Sequence, residues 1–489
     1  MHPSPYRLPE KGISKSDVLA AMKALREKDV RWREGRVFSL IYYAGEEITD
    51  LLKEASTLFF SENGLNPTAF PSLRQLETEV VAMSASLLGG DDQAVGNMTS
   101  GGTEGILLAV KSAREWARAR RPEIHEPEMI LPLSTHPAFE KAAHYFDVKP
   151  VHTAISPDFR ADVAAARAAI TPNTILMVGS APSYPFGVVD PIRELAAAAA
   201  EQGILFHVDA CVGGFLLPFV RKLGYPVPDF DLSVPGVTSI SADLHKYGYC
   251  VKGASVLLYR NAALRREQYF AYTDWPGGIY ASPTMAGTRP AGPIASAWAI
   301  LHYLGEEGYL ALAALTMDTA LKIRAGIEAI PGLRILGEPV MSVMALASDE
   351  MNIYDVGDEM GSRGWHLDRQ QFPPSLHMTV MPVHGETADD FLRDLADAAA
   401  AARRPSLAKL GSAAQIALAR AAASVLPERW VSRLTAMTAR GMGRTAGSTA
   451  TRSAAMYGMM GSLPNRGDLH ELVLDILDGF TRTEKDIRE

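Results

Sequence analysis

Between residues 97 and 300, short runs rich in β-branched and apolar residues alternate with helical ones, and this alternation constrains the fold most. The β-rich runs fall at 130–132, 148–152, 175–179, 204–208, 239–240 and 254–258. Apolar residues at helical spacing fill gaps between them at 104–120, 137–146, 160–170 and 191–201. Strands joined through helices favour parallel pairing, so the expectation is an α/β fold: a mostly parallel sheet with helices on both faces.

The flanking regions read as additions to that domain. Residues 14–33 start with Ser14 or Ser16 as a candidate N-cap and carry Val18, Leu19, Met22, Leu25 and Val30 at roughly helical spacing, an amphipathic helix behind a polar arm. A second helix over 71–90 stops at a glycine pair. Past Pro290 a long helix is expected over 293–330, then strands in "RILGEPVMSVMALAS" and "SLHMTVMPV", which suits a smaller α/β domain. The Ala-rich stretch 395–425 reads as helix and the Gly-, Ser- and Thr-rich stretch 441–462 as a loop. The expected division is an N-terminal arm and helix over 1–60, a large domain over 61–325 and a small C-terminal domain over 326–489.

Composition narrows the partners. A formal net charge of −8 gives no electrostatic reason for broad nucleic-acid binding, though a local site for a small phosphate fits. Two cysteines, Cys211 and Cys250, are too few for a disulfide scaffold and suit a reducing, cytoplasmic setting. No uninterrupted apolar run reaches the roughly 18 residues a membrane helix needs, so no transmembrane segment is expected. No metal site is expected either.

Four places in the alternating region carry chemistry. In "NMTSGGTEGILLAV" a Ser-Gly-Gly-Thr turn opens a helix, and free N–H groups with the helix dipole make such a turn a seat for phosphate, or simply a close-packed corner. In "ILFHVDACVGGF", Asp209 stands just past the carboxyl end of a strand, where open α/β sheets bind ligands. It can cap a turn or hold a ring nitrogen protonated, and His207, on the same face, can orient it or be a satisfied core histidine. In "SADLHKYGYCVKG", Lys246 follows His245, and an amine at a strand end can form a Schiff base with an aldehyde cofactor. In "PLSTHPAFE", His136 is placed to stack on a cofactor ring. This order fits pyridoxal phosphate better than NAD or ATP, since no Gly-x-Gly-x-x-Gly or Walker lysine motif offers itself.

With "GLNPTAFPSLRQLE", "TDWPGGIYASPT", "GTRPAG" and "QFPPSLH", these segments resemble the sphingosine-1-phosphate lyase family over about residues 30–470. Its members are fold-type I enzymes of the group II decarboxylase-like class. The resemblance implies Lys246 as the Schiff-base lysine, Asp209 on the pyridine nitrogen, His136 on the ring, and Gly102, Thr103 and His245 at the cofactor phosphate. His207 is counted with the cofactor site, and Gly287 and Thr288 would complete the phosphate site from the other subunit of a homodimer. Tyr42 and Tyr184 match reaction-site tyrosines, Lys252 a lysine on the substrate phosphate, and Asn63 an asparagine near the substrate.

The implied reaction is retro-aldol cleavage of the C2–C3 bond of a phosphorylated sphingoid base to a long-chain aldehyde and phosphoethanolamine. An amino-acid decarboxylase is the alternative. One departure stands out: Asn66 replaces a family histidine at the substrate-phosphate site, and asparagine can donate a hydrogen bond there but carries no charge.

Overall fold

A computed structural model of the protein describes residues 8–27, 29–404 and positions 470, 473, 474, 477 and 478. The loop expected over 441–462 and the part of the 395–425 helix beyond residue 404 lie outside the described residues.

Seven strands form the main sheet: Val95–Thr99 (β1), Glu128–Pro132 (β2), Lys149–Thr153 (β3), Thr174–Ser180 (β4), Leu205–Asp209 (β5), Ser239–Ala242 (β6) and Ser255–Tyr259 (β7). Their order is β1-β7-β6-β5-β4-β2-β3. The β3, β2, β4, β5 and β6 strands run parallel, and β7 is antiparallel to both its neighbours. Every residue of β2, β4, β6 and β7 is buried, as strands covered on both faces must be, whereas edge strand β3 is largely open. Apolar runs in the sequence mark each of these except β1, whose "VGNMT" has neither alternation nor an apolar run.

The helices are Lys15–Arg26 (α1), Glu46–Leu58 (α2), Pro71–Leu87 (α3), Gly102–Arg120 (α4), Ala138–Phe146 (α5), Val163–Ala168 (α6), Ile192–Glu201 (α7), Leu217–Lys222 (α8), Ala262–Arg266 (α9), Ala291–Glu328 (α10), Ile353–Ser362 (α11) and Ala388–Arg403 (α12). Ser14 is the cap of α1, its hydroxyl accepting from the Asp17 N–H at 3.1 Å. No residue of α1 is buried, so its apolar stripe faces solvent in the single chain. The helix expected over 293–330 is α10, but it is broken at Gly305, where φ is +54°, a value glycine adopts without strain.

Two strands missed in the sequence, Phe270–Tyr272 (β8) and Tyr280–Ser282 (β9), form an antiparallel ribbon whose connecting segment exposes Trp275 and Ile279. The small sheet holds Arg334–Ile335 (β10), Val343–Ala347 (β11), Asp368–Gln370 (β12) and Ser375–Thr379 (β13) in the antiparallel order β10-β11-β13-β12. Its core takes in Phe38, which stacks on His384 at 4.1 Å and lies 4.6 Å from the Phe391 ring. Phe38 also bonds through its backbone to His366 and Thr379. The segment after Phe38 thus leaves the core of the small sheet, and Leu40 and Tyr42 follow on it.

Candidate active site

The carboxyl ends of β5 and β6 and the N-terminus of α4 meet around a cavity of about 420 Å³, within the usual range for small-ligand sites. Ser100, Gly102, Thr103, His136, Tyr184, Asp209, Asp243, His245, Lys246 and Lys252 are among the residues that line it. Residues separated by more than 150 positions in the sequence converge here because parallel strands all point their carboxyl ends the same way.

Lys246 lies on the turn after β6. Its Nζ is 3.0 Å from Oδ2 of Asp243, a carboxylate that is almost fully buried. Burial pulls the lysine pKa down, but Asp243 overrides it and the net shift is upward, so the amine is held as ammonium. Burial likewise opposes ionisation of Asp243; Lys246, His245 and the Ser255 hydroxyl together hold it below the usual carboxylate range. Asp243 was not among the residues singled out from the sequence. It stands just past the end of β6 as Asp209 stands at the end of β5, so the same strand-end rule finds both.

Asp209 is buried, with Oδ1 accepting from the Cys211 N–H at 3.1 Å. His136 accepts from the Ala138 N–H on Nδ1 at 3.1 Å, which leaves Nε2 to carry the proton. Burial lowers its pKa, with Asp209 opposing and Lys246 assisting, and keeps the ring neutral. His245 is also lowered by burial, and its Nδ1 is buried without a hydrogen-bond partner among the described residues.

Gly101 caps α4 with no side-chain hydrogen bond, so the first N–H groups of the helix face the cavity end free for a ligand. A Cβ at Gly102 would come 2.6 Å from Cys211 Sγ and 2.9 Å from Asp243 Oδ2, so only glycine leaves this approach open. The Cys211 thiol is pushed well up by burial, and it packs the floor as a neutral group.

Lys252 has an exposed stem, but its ammonium turns inward and donates to the carbonyls of Leu40 at 3.0 Å and His245 at 3.3 Å. Partial burial and the nearby Lys246 charge bring its pKa down to about 8 against the pull of Asp243. Tyr42 is not on the cavity lining. Its ring lies 5.2 Å from the Lys252 ammonium, within cation–π reach, and 5.0 Å from the Tyr247 ring. Tyr184 does line the cavity; burial first, then Asp368, raises its phenol pKa.

The structure does not bring every expected residue together. His207 lies beneath the cavity, fully buried, with Nδ1 2.9 Å from Ser239 Oγ and Nε2 3.2 Å from Ser241 Oγ. Both nitrogens are used by β6, and burial lowers the pKa to about 4, so it is a satisfied core histidine with no path to a ligand. Asn63 and Asn66 sit in a turn away from the lining. Asn63 Oδ1 accepts from Leu65 N, and Asn66 Oδ1 takes the N–H groups of Thr68 and Ala69 and the Thr68 hydroxyl. Gly287 and Thr288 do not line the cavity of their own chain either. Their segment approaches its mouth through Met285, whose N–H donates to Glu104 Oε1 at 2.9 Å.

Residues 3–346 match the pyridoxal-dependent decarboxylase conserved domain. The sphingosine-1-phosphate lyase of Oryza sativa is 42% identical over 96% of this chain and 81% of its own length. Sphingosine-1-phosphate lyase 1 of Rattus norvegicus is 45% identical over 79% of this chain and 68% of its own. The chain belongs to the sphingosine-1-phosphate lyase family. The solved sphingosine-1-phosphate lyase of Burkholderia pseudomallei superposes with a TM-score of 0.79 at 42% identity, covering 85% of this chain and 97% of that one. A glutamate decarboxylase of Lactobacillus brevis, at 19% identity and TM-score 0.72, shares the fold.

The cofactor of this family is pyridoxal phosphate, and the cavity fits it. A half-buried lysine, a strand-end carboxylate, a neutral imidazole on the wall, an uncapped helix N-terminus with glycine at its first turn, and the unpartnered Nδ1 of His245 supply what an aldehyde-bearing pyridine with a phosphate arm requires. A second lysine, Lys252, also lines the cavity, with its Nζ donating to the Leu40 and His245 carbonyls.

Proposed function

We infer that this protein is a pyridoxal-phosphate-dependent carbon–carbon lyase cleaving sphingosine 1-phosphate, or a related phosphorylated sphingoid base, between C2 and C3. The products are a long-chain aldehyde and phosphoethanolamine. The observation that carries this reading is the presence of two ammonium groups at one cavity, Lys246 paired with a carboxylate and Lys252 held, among the described residues, by two backbone carbonyls and the ring of Tyr42. An amino-acid decarboxylase needs the first. An amino alcohol bearing a phosphate engages both.

Lys246 would hold the cofactor's aldehyde, Asp209 its ring nitrogen, His136 its ring face, and Gly102, Thr103 and His245 its phosphate. When bound, the cofactor supplies the electron withdrawal that lets a bond to the amine-bearing carbon break. The remaining work falls to the chain's own groups. One of them takes the proton of the C3 hydroxyl, and another delivers a proton to C2 after the bond has broken. The Tyr184 phenol, raised by burial, stays protonated through neutral pH and suits delivery. Lys252, with a pKa near 8, is a cavity group that can exist in both states near neutrality; as ammonium it meets the substrate phosphate.

A homodimer in which Gly287 and Thr288 complete the phosphate site of the other copy is part of the same proposal. Its support is that neither residue lines the cavity of its own chain. A cytoplasmic location is supported by Cys211 and Cys250, both free thiols. No helix among the described residues is long and apolar enough to cross a membrane.

Incubation of the holoenzyme with sphingosine 1-phosphate and, separately, with free amino acids tests the reading. Release of fatty aldehyde, lost in Lys246→Ala, supports it. Carbon dioxide from amino acids with no aldehyde from the lipid overturns it.

A further inference from the structure

From His245 onward, the turn that carries Lys246 closes its backbone hydrogen bonds on itself. His245 N donates to the Ala254 carbonyl at 3.0 Å, Lys246 N to Asp243 at 3.2 Å, Tyr249 N to Lys246 at 2.9 Å and Cys250 N to Leu244 at 3.0 Å. Tyr249 takes φ +55°, a left-handed value that a residue with a side chain holds only when its surroundings impose it. Bonds of this kind give the turn a shape but do not fix where it stands against the rest of the protein.

Tyr247, the residue next to the lysine, supplies such a fix. Its side chain is fully buried and reaches the small sheet. The phenol donates its one proton to the Val380 carbonyl at 2.9 Å, so in the 2.5 Å contact with Ser342 Oγ it is the serine that donates. Ser342 stands just before β11 and Val380 just after β13, joined by the Val380 N–H to the Ser342 carbonyl at 2.9 Å, and both are fully buried. A second phenol pins the same turn: Tyr309 of α10 donates to the Gly248 carbonyl at 3.0 Å.

The same strand end touches another residue of the cavity. Three positions before Val380, His377 is fully buried and lies flat against Tyr184, with ring centroids 4.0 Å apart and planes 20° from parallel. Docking of the small sheet is thus felt at Tyr184 and at the neighbour of Lys246 together.

We propose that Tyr247 is a positioning residue for Lys246: its phenol keys the lysine turn into the small sheet between Ser342 and Val380, so the amine takes its place beside Asp243 only while that sheet is docked. Tyr247 itself does not line the cavity and acts through the turn.

This inference rests on Lys246 holding the cofactor, so one readout follows the cofactor and needs no lipid. Tyr247→Phe keeps the ring and removes both hydrogen bonds. Tyr259→Phe is the matched control, since that phenol is also buried, bonds Ser112 Oγ at 2.7 Å and does not line the cavity. Each holoenzyme is dialysed and loss of bound pyridoxal phosphate is followed by its visible absorbance. Tyr247→Phe is expected to lose the cofactor about tenfold faster than the wild type and to lower kcat about tenfold, with KM within about twofold. Tyr259→Phe keeps wild-type retention and kcat even where its Tm falls as far. A Tyr247→Phe enzyme that loses Tm alone overturns the proposal, and so does a Tyr259→Phe enzyme that sheds the cofactor as fast. Should Tyr247→Phe not fold, Ser342→Ala removes one of the two bonds and is expected to shed the cofactor about threefold faster; unchanged retention there overturns the proposal as well. If the wild type releases no aldehyde from the lipid, the lyase reading fails while cofactor retention still decides the role of Tyr247.

Discussion

Asp243 Oδ2 stands 3.0 Å from Nζ of Lys246, and the carboxylate is withdrawn from solvent. The pair settles the charge of the amine before any ligand arrives. A carboxylate this close favours the ammonium, and the energetic risk of such a pair lies in removing one partner, which costs about 3–5 kcal/mol when the other is left buried and charged. The Lys246 side chain keeps about a fifth of its surface exposed, so the lower end of that range applies.

The first prediction follows from the sign of that shift. Because Asp243 raises the Lys246 pKa, Asp243→Asn lowers it, and a larger fraction of the amine is neutral at pH 7. In the cofactor-free protein, acylation of Lys246 followed by peptide mass spectrometry is expected to speed up about tenfold for each pKa unit lost. Equal labelling rates would show that burial, and not the carboxylate, sets the state of the amine.

Lys252 gives a prediction in pH. Its pKa, brought down to about 8, means the ammonium is present below that value and is lost as pH rises through it. Affinity for a phosphorylated substrate is therefore expected to weaken above about pH 8, with KM rising while the KM of an unphosphorylated sphingoid base stays flat. A charge-assisted hydrogen bond contributes about 1.5–3 kcal/mol, so Lys252→Gln should raise KM by roughly 10- to 150-fold. A drop in kcat at constant KM would assign Lys252 to proton transfer instead of anchoring.

The two lysines illustrate what a sequence can carry. Strand ends were legible because apolar runs and the residues just past them are local features, and Asp209, His136, His245 and Lys246 all stand on such ends. His207 was not separable from them, since its neighbours Ser239 and Ser241 lie on a strand more than 30 residues away. Asp243 sits between a lysine and a helix N-terminus only once β6 and α4 are side by side. Likewise, nothing near "SLHMT" says that His377 will lie on Tyr184; that contact depends on how the small sheet docks. The β1 strand was missed because its burial comes from α3 and β7, not from its own composition.

Asn66 yields the last prediction, and it concerns a residue whose role reads differently in sequence and in structure. Its carbonyl oxygen accepts from Thr68 N at 3.0 Å, Thr68 Oγ1 at 2.7 Å and Ala69 N at 3.2 Å, the pattern of an Asx turn ahead of α3. The same turn is tied to the 289–290 segment by Gly64 N donating to the Arg289 carbonyl at 2.8 Å, while Arg289 grips Glu77 of α3 with two nitrogens. Replacing Asn66 with Asp keeps the acceptor and should leave Tm unchanged, whereas Asn66→Ala should cost about 0.5–1.5 kcal/mol, the net worth of a lost hydrogen bond. Asn66→His removes the same acceptor and adds a ring that can carry charge. If the asparagine acts only within this turn, Asn66→His and Asn66→Ala lose equal stability and keep the wild-type KM for the phosphorylated substrate. A lower KM in Asn66→His alone would show that the turn faces the substrate phosphate in the assembled enzyme and that asparagine weakens the grip there.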